Sequence, residues 1–378
     1  MNAGPISPRR AIQTLLFTVL LGFAPVSVGW EYPDQPGRSG WPQHDEVANL
    51  DAEPWNSGWS IAVDNDLLAG HDKDRDYTGG LAVTLGGKRA SESALSLDPA
   101  LSWLNRKLPT GAFHAVEGER PPDHSLQFGL AVFTPDIRQA GPVHDDRPYA
   151  SLAWLSNSQY LLHPLGSEAF QSTLTVGLLG TSIGEWTHKA VHRLVGSDRP
   201  EGYAHQISDD GELTARYALA YHRLLASGRG ERSGYDVKLM AGGSIGYLTE
   251  ADVSLGIRWG RIATPWWRFY PDVADYGAQP PAAPSAGYGR GRDRYLWANF
   301  KLRARAYNAL LQGQFRDSPV TWSSSDLHHL QAEVAVGLVI PLPGFDLNYA
   351  FRVQTREIRH GQQPRFVTWG GVTLSRSF

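Results

Sequence analysis

The sequence predicts an all-β fold: a transmembrane antiparallel β-barrel of about twelve strands, with a short helix in one outer loop. Three observations carry this. Segments that alternate apolar and polar residues recur about twelve times between Trp59 and Phe378. Beyond the first thirty residues, no run of roughly 18 apolar residues occurs, so no helix of the sequence is suited to cross a bilayer. The last alternating segment ends in an aromatic residue, with Val372 and Leu374 in the register of Phe378. An even number of strands closes such a barrel with both ends on one side, and closure leaves no unpaired backbone edge in lipid.

Taken in order, residues 1–29 read as a secretory signal peptide. Arg9 and Arg10 precede an apolar core from Leu15 to Phe23, and the small residues Ser27 and Gly29 suit a cleavage site before Trp30. Residues 30–57 are Pro-rich, polar and aperiodic, and read as an extended periplasmic leader. Residues 58–378 form the predicted outer-membrane barrel. Its strands are expected at 59–65, 78–87, 125–134, 151–162, 172–180, 212–225, 235–248, 252–261, 295–311, 327–340, 347–357 and 366–378. Several are long enough for a tilted span. The aromatic run TPWWRFYPD at 264–272 suggests an interfacial belt at a strand end.

Composition fits this plan. Glycine (40 residues) and Trp plus Tyr (13 and 15) are plentiful, and cysteine is absent despite the predicted export. A net charge of −3 argues against a nucleic-acid partner. A porin is expected to carry many charges alternating into the lumen, and these strands read as carrying few, which disfavours a porin.

With both termini periplasmic, the first, third and fifth connections face outside, and all three look chemically loaded. The first, between Asp64 and Asp76, holds five aspartates and Asn65. The pairing of its flanking strands brings Asn65 and Asp66 toward Asp76, Tyr77 and Thr78. Carboxylate and amide oxygens with a nearby hydroxyl suit a hard cation such as Ca²⁺, although the loop is not an EF-hand. A solvated acidic loop is the plain alternative. The third connection is PDIRQAGPVHDDRPYA, residues 135–150. The fifth holds a helical stretch, GEWTHKAVHRLVG at 184–196, with Trp186, Ala190, Val191 and Leu194 as its apolar side. Glu185, His188 and His192 are spaced to share a face. His188 and His192 also have zinc-ligand spacing, but no HExxH or third ligand accompanies them. The same parity leaves 88–124 and 262–294 as long periplasmic connections, where short turns are usual.

Two G-x-S-x-G matches occur. GGSIG at 242–246 falls inside a strand and carries no chemistry. GTSIG at 180–184 lies between a strand and a helix, the context of a nucleophile elbow with Ser182 as nucleophile, but the alternating α/β pattern of that fold is missing.

Taken together and in this order, VDNDLLAGHDKDRDYTGGL, FTPDIRQAGPVHDDRPYA, HKAVHRLVGSDRPEGYAHQI and RAYNALLQGQFRDS make the chain resemble the outer-membrane lipid A 3′-O-deacylase family of Gram-negative bacteria, from about Trp59 to Phe378. The resemblance implies a twelve-stranded barrel with its active site between the wall and an outer-loop helix. It also implies Ca²⁺-dependent hydrolysis of the 3′-linked acyloxyacyl ester of lipid A. By position, the family's Asn–Asp pair falls on Asn65 and Asp66, its Thr on Thr78 and its helix His on His192. An acid six positions later falls on Asp198, one methylene shorter than the Glu of the best-known type of member. A Gln one turn before the histidine is replaced by His188.

The mechanism that follows has His192 as general base on water and Asp198 orienting it. Ca²⁺, held by Asp66 and Asn65, would be the electrophile, and Asn65 and Thr78 would position the reactants. His188, Lys189 and Arg193, with Arg199 nearby, would meet the substrate and its phosphates. The expected setting is a monomer in the outer membrane acting on lipid A within lipopolysaccharide. The alternatives are a phospholipase-type barrel hydrolase using Ser182, and a non-enzymatic porin or structural barrel.

Overall fold

The computed structural model describes residues 53–70, 75–108, 122–136, 141–163, 166–195, 202–230, 233–270, 293–361 and 365–378. The proposed signal peptide and most of the leader lie outside them. So do Asp198 and Arg199.

Twelve antiparallel strands close into one barrel, each paired with its sequence neighbours, and the last paired with the first. They are β1 (Gly58–Asn65), β2 (Asp76–Gly86), β3 (Asp123–Thr134), β4 (Ala150–Leu162), β5 (Glu168–Leu179), β6 (Glu212–Arg229), β7 (Gly234–Gly246), β8 (Leu248–Arg261), β9 (Arg294–Asn308), β10 (Leu330–Leu342), β11 (Phe345–Gln354) and β12 (Val367–Ser377). Four short helices decorate the ends: α1 (Lys88–Glu92), α2 (Asp98–Asn105), α3 (Ser182–Val195) and α4 (Ala309–Gln312). Among the described residues, no helix is long and apolar enough to cross a membrane.

The alternation that betrayed the strands sorts residues between lipid and lumen. On β8, Val253, Leu255, Ile257 and Trp259 are exposed on the outer wall, while Ser254 and Arg258 between them are buried. On β9, Leu296, Phe300 and Leu302 face out, and Asn299, Lys301, Arg303 and Arg305 are buried. In lipid the outward residues lie in hydrocarbon, which is why a barrel can be apolar outside and polar within.

The lumen overturns one expectation. The strands carry many inward charges, and these are paired with each other instead of lining water. Glu250 accepts from Arg305 Nε at 2.7 Å and from Arg216 Nη2 at 3.3 Å. Glu333 takes Arg303 and Arg352 at 3.0 and 3.1 Å. Asp236 takes Arg258 Nε at 2.7 Å. Removing one partner from such a pair strands a buried charge at a cost of about 3–5 kcal/mol.

At the near rim, where β1 starts and β12 ends, the described parts of both long connections pack into the barrel mouth. Asn105, at the end of α2, is buried and donates to Gln159 Oε1 (2.7 Å) and Ser172 Oγ (2.8 Å), while Tyr217 donates to its oxygen (2.7 Å). Asn157 of β4 holds the carbonyl of Ala90 in α1. From the second connection, Trp266, Trp267, Phe269 and Tyr270 are all buried. Lys238 donates to Phe269 O at 2.9 Å, and Tyr270 to Gln171 Oε1 at 2.9 Å. The aromatic run expected as a lipid-facing belt is therefore part of an internal stopper. The end of the leader is pinned at this rim too, where buried Glu53 accepts from His124 N (2.6 Å).

Strand ends account for the remaining differences. Asn308 caps α4 by accepting from Leu310 N, so the expected strand over 295–311 stops there. The expected strand at 327–340 begins three residues late, because Ser324–Asp326 form a 3-10 turn closed by a capping box from Ser323.

Candidate active site

The far rim gathers the first connection. Strand β1 ends because Asn65 turns its side chain back on the backbone. Its Oδ1 accepts from Leu67 N at 2.8 Å and caps the 3-10 turn Asp66–Ala69, while its Nδ2 donates to Thr78 O at 2.9 Å, tying β1 to β2. Gly70, at φ 84°, closes the turn in the left-handed conformation that glycine adopts without cost. Gly370 of β12 lies opposite Asn65; a Cβ there would fall 2.6 Å from Leu68 O. Only a bare backbone lets the turn lie down on the rim.

Asp66 is fully buried, and its Oδ2 accepts from Arg75 N at 2.7 Å. Thr78 sits at a bulge: the β2–β3 register shifts between Tyr77 and Gly79, leaving Thr78 as the extra residue. A bulge re-aims a side chain. Here the Thr78 hydroxyl lies 2.5 Å from that of Thr134. Asp76 has φ 59°, a left-handed backbone that non-glycine residues rarely accept. Arg365 Nε and Nη2 grip its carboxylate at 2.7 and 3.1 Å, and Nη2 also reaches Asp146 Oδ1 at 3.3 Å.

Beside this clamp, Arg147 and Arg305 both pair with Glu357. Burial pushes the Glu357 carboxyl up, but the neighbouring Arg147 and Arg305 outweigh it and hold it below the usual carboxylate range.

The helix of the fifth connection forms, starting two residues earlier than expected, at Ser182. Thr181 Oγ1 accepts from Ile183 N at 3.0 Å and opens it. The helix packs on β3 and β4. Gly184 makes the approach possible, since a Cβ there would fall 2.4 Å from Ser151 Cβ. His188 is buried, its Nδ1 2.8 Å from the Tyr203 hydroxyl, and Tyr203 in turn packs on Tyr149 with ring centres 4.9 Å apart. Glu185 and Lys189, half exposed, pair with each other one turn apart. Ser182 and Arg193 are exposed. Trp186, expected on the packed apolar side, is 70 % exposed and stands away from the barrel core with Ile183. His192 lies one turn beyond His188 on α3, and its side chain falls outside the described residues, as do the positions of Asp198 and Gly196.

Asn65, Asp66 and Thr78 are thus brought together at the rim, and His188, Lys189, His192 and Arg193 share one helix laid across the neighbouring wall. The side-chain oxygens that the turn and the bulge bring to this rim are the buried Asp66 carboxylate, the Asn65 amide oxygen and the Thr78 hydroxyl. That set fits a hard cation such as Ca²⁺ and not a thiophilic or imidazole-seeking metal. Among the described residues no three His, Asp or Glu side chains converge as a ready-made metal cluster, so a cation here would draw on neutral oxygens as well. Sequence reading missed Arg147, Tyr203, Glu357 and Arg365. The acidic–basic run Asp145–Asp146–Arg147 was a usable signal, whereas nothing local marks Arg365.

Comparison with known proteins adds the following. The model of a family described as "Outer membrane protein LpxR" matches residues 43–378. Among solved structures, LpxR from Salmonella typhimurium superposes with a TM-score of 0.64 at 15% identity, covering 85% of this chain and 100% of that one. At that identity the likeness speaks for the fold. The β domain of the Bordetella autotransporter BrkA follows at a TM-score of 0.38 and 10% identity, covering 87% of this chain and 100% of that one. That score carries no argument. No curated protein matches the sequence.

Proposed function

Since the chain belongs to the LpxR family of outer-membrane proteins, with a match over 43–378, we propose that it hydrolyses the 3′-linked acyloxyacyl ester of lipid A in the outer leaflet. The observation that carries this reading is the rim cluster of a buried carboxylate, an amide and a bulge-aimed hydroxyl, Asp66, Asn65 and Thr78, with the helix that bears His192 packed on β3 and β4.

Ester hydrolysis needs an activated water and a stabilised oxyanion. Imidazole titrates near neutrality, so His192 accepts the proton of the attacking water and returns it to the leaving alkoxide. Asp198 orients that ring and favours its protonated form. Asp66 and Asn65 would hold Ca²⁺, which would supply positive charge at the ester carbonyl. Thr78 and Asn65 fix the reactants, because their own hydrogen bonds lock their rotamers. Lys189 and Arg193, on the outer side of the helix, meet the phosphates of the substrate, and His188 supports the helix through Tyr203.

The test is mass spectrometry of lipid A from cells with and without the intact chain. Loss of the mass of the acyloxyacyl group in the chain's presence is the expected result. An unchanged lipid A spectrum from cells that insert the barrel would end this reading.

A further inference from the structure

A second lipid-facing feature lies on the other side of the clamp. On the outer wall, Leu302 of β9 stands opposite Ala332 of β10, and Leu330 opposite Ala304. The small residues leave a depression between the two leucines, which are 38% and 70% exposed. The two described ends of the β11–β12 connection, Thr355 with Arg356 and Arg365 with Phe366, border it. Thr355 fastens the first of these ends, donating its N–H to Ala332 O and accepting from Ala332 N at 3.0 Å. The result is a cavity of about 520 Å³, floored by Leu302, Leu330 and Ala332 and roofed by Arg356 and Phe366. It is continuous with the apolar outer band of Val334, Val336 and Leu338, so an acyl chain could pass from bilayer to cavity without crossing a polar surface.

Its upper edge is cationic. Arg356, Arg359 and His360 are exposed, and neither arginine is in an ion pair among the described residues, although Arg356 also lines the neighbouring pocket with Asp145 and Asp146. Asp326, whose backbone carbonyl accepts from Arg359 N, turns its carboxylate to Ser323. Burial, and then Arg356, Arg359, His360 and His329, hold the His328 imidazole below its ordinary range. His328, Arg356 and Arg365 share the lining of this cavity.

We propose that this alcove binds a phosphorylated, multi-acyl glycolipid of the outer leaflet as an accessory site, with one acyl chain between Leu302 and Leu330 and a phosphate on Arg356 and Arg359. The combination of apolar floor and unpaired cations at headgroup height selects an anionic lipid over a zwitterionic one. A volume of this size suits part of a lipid, not a whole one. Arg365 also lines the cavity while its guanidinium holds Asp76, so the two sites adjoin; the alcove depends on the chain's place in the outer membrane and not on the ester chemistry proposed above.

The experiment uses the full chain in detergent micelles, titrated with bis-phosphorylated six-acyl lipid A and read by native mass spectrometry. His192→Ala serves as the background, so that lipid is not turned over. Two bound lipids per barrel are expected. Ala332→Trp, which fills the floor, and the pair Arg356→Gln with Arg359→Gln should each weaken the second binding step at least about tenfold, the size of a lost charge-assisted contact. Dephosphorylated lipid should fill one site only. In the otherwise unaltered chain, the same substitutions should leave ester hydrolysis of micellar substrate unchanged. A single bound lipid in the parent, or two in both alcove variants, would overturn the proposal. So would loss of hydrolysis together with binding, which would make the alcove part of one extended substrate site. Heat-modifiable gel mobility checks that each variant is a closed barrel.

Discussion

Arg365 grips Asp76 across 289 residues of sequence with two hydrogen bonds, 2.7 and 3.1 Å long. Asp76 holds a strained left-handed backbone, and the residue before it, Arg75, gives its N–H to Asp66. The guanidinium therefore positions the Asp66 carboxylate through one turn of chain. Arg365→Ala should lower barrel stability by about 3 kcal/mol, the lower end for breaking a largely buried pair. It should also reduce hydrolysis in variants that still insert. Arg365→Lys should not restore either, because an ammonium cannot reproduce the two-pronged grip. Thermal gel-shift midpoints and hydrolysis rates on micellar lipid A check this; full activity in Arg365→Ala would disconnect the clamp from the site.

The reaction itself separates two models. His192→Ala should slow turnover at least about 10²-fold, the low end for a general base. Asp66→Ala should cost as much or more, Thr78→Ala less, and Ser182→Ala little, since water attacks directly. If Ser182→Ala is dead while His192→Ala works, and a fluorophosphonate labels Ser182, the serine model stands instead.

Metal dependence follows from the oxygen donors. A chelator should abolish activity, and Ca²⁺ should restore it where Zn²⁺ does not. Recovery with Zn²⁺ alone would move attention to His188 and His192.

His188 is predicted to matter through packing. Tyr203→Phe removes the hydroxyl 2.8 Å from Nδ1 and leaves a buried imidazole nitrogen short of its partner, at a cost of about 1–3 kcal/mol. Protease nicking within α3 should increase. If α3 stays as protected as before, His188 is held by something other than Tyr203.

Acid should loosen the far rim. The folded Glu357 carboxyl lies below its ordinary value because Arg147 and Arg305 outweigh the effect of burial. Its stabilising contribution is then complete above the unfolded value of about 4.3 and is lost as pH falls through the folded one. Thermal midpoints of the parent should drop as pH goes from 6 to 3, and Glu357→Gln, weaker at pH 7, should show a shallower fall. Parallel profiles would remove Glu357 from the account.

Strand count and order were legible because lipid and lumen impose a period of two on every span: Val253, Leu255, Ile257 and Trp259 advertise themselves. The rim residues Asn65, Asp66 and Thr78 were legible because the first connection is short, so partners close in space are close in sequence. What stayed hidden is what acts at long range. Arg365 meets Asp76, and Glu357 meets Arg147, across more than two hundred residues. No local pattern encodes such a meeting. The lumen was misjudged for a related reason: isolated arginines on single strands look sparse until closure sets Arg305 beside Glu250 and Glu357. The run Trp266–Tyr270 misled because amphipathic aromatics suit a bilayer surface and a barrel mouth equally well.

The packed interior bears on how many copies a cell can carry. Arg258, Asp236, Glu250, Glu333 and Arg352 are locked in mutual pairs, and Asn105, Trp266 and Tyr270 close the mouth below them. A cylinder filled in this way among its described residues should act electrically as an insulator set in an insulator. Inserted in a planar bilayer it should show no unitary conductance steps under voltage. A membrane crowded with it would keep its resistance to small antibiotics and bile salts.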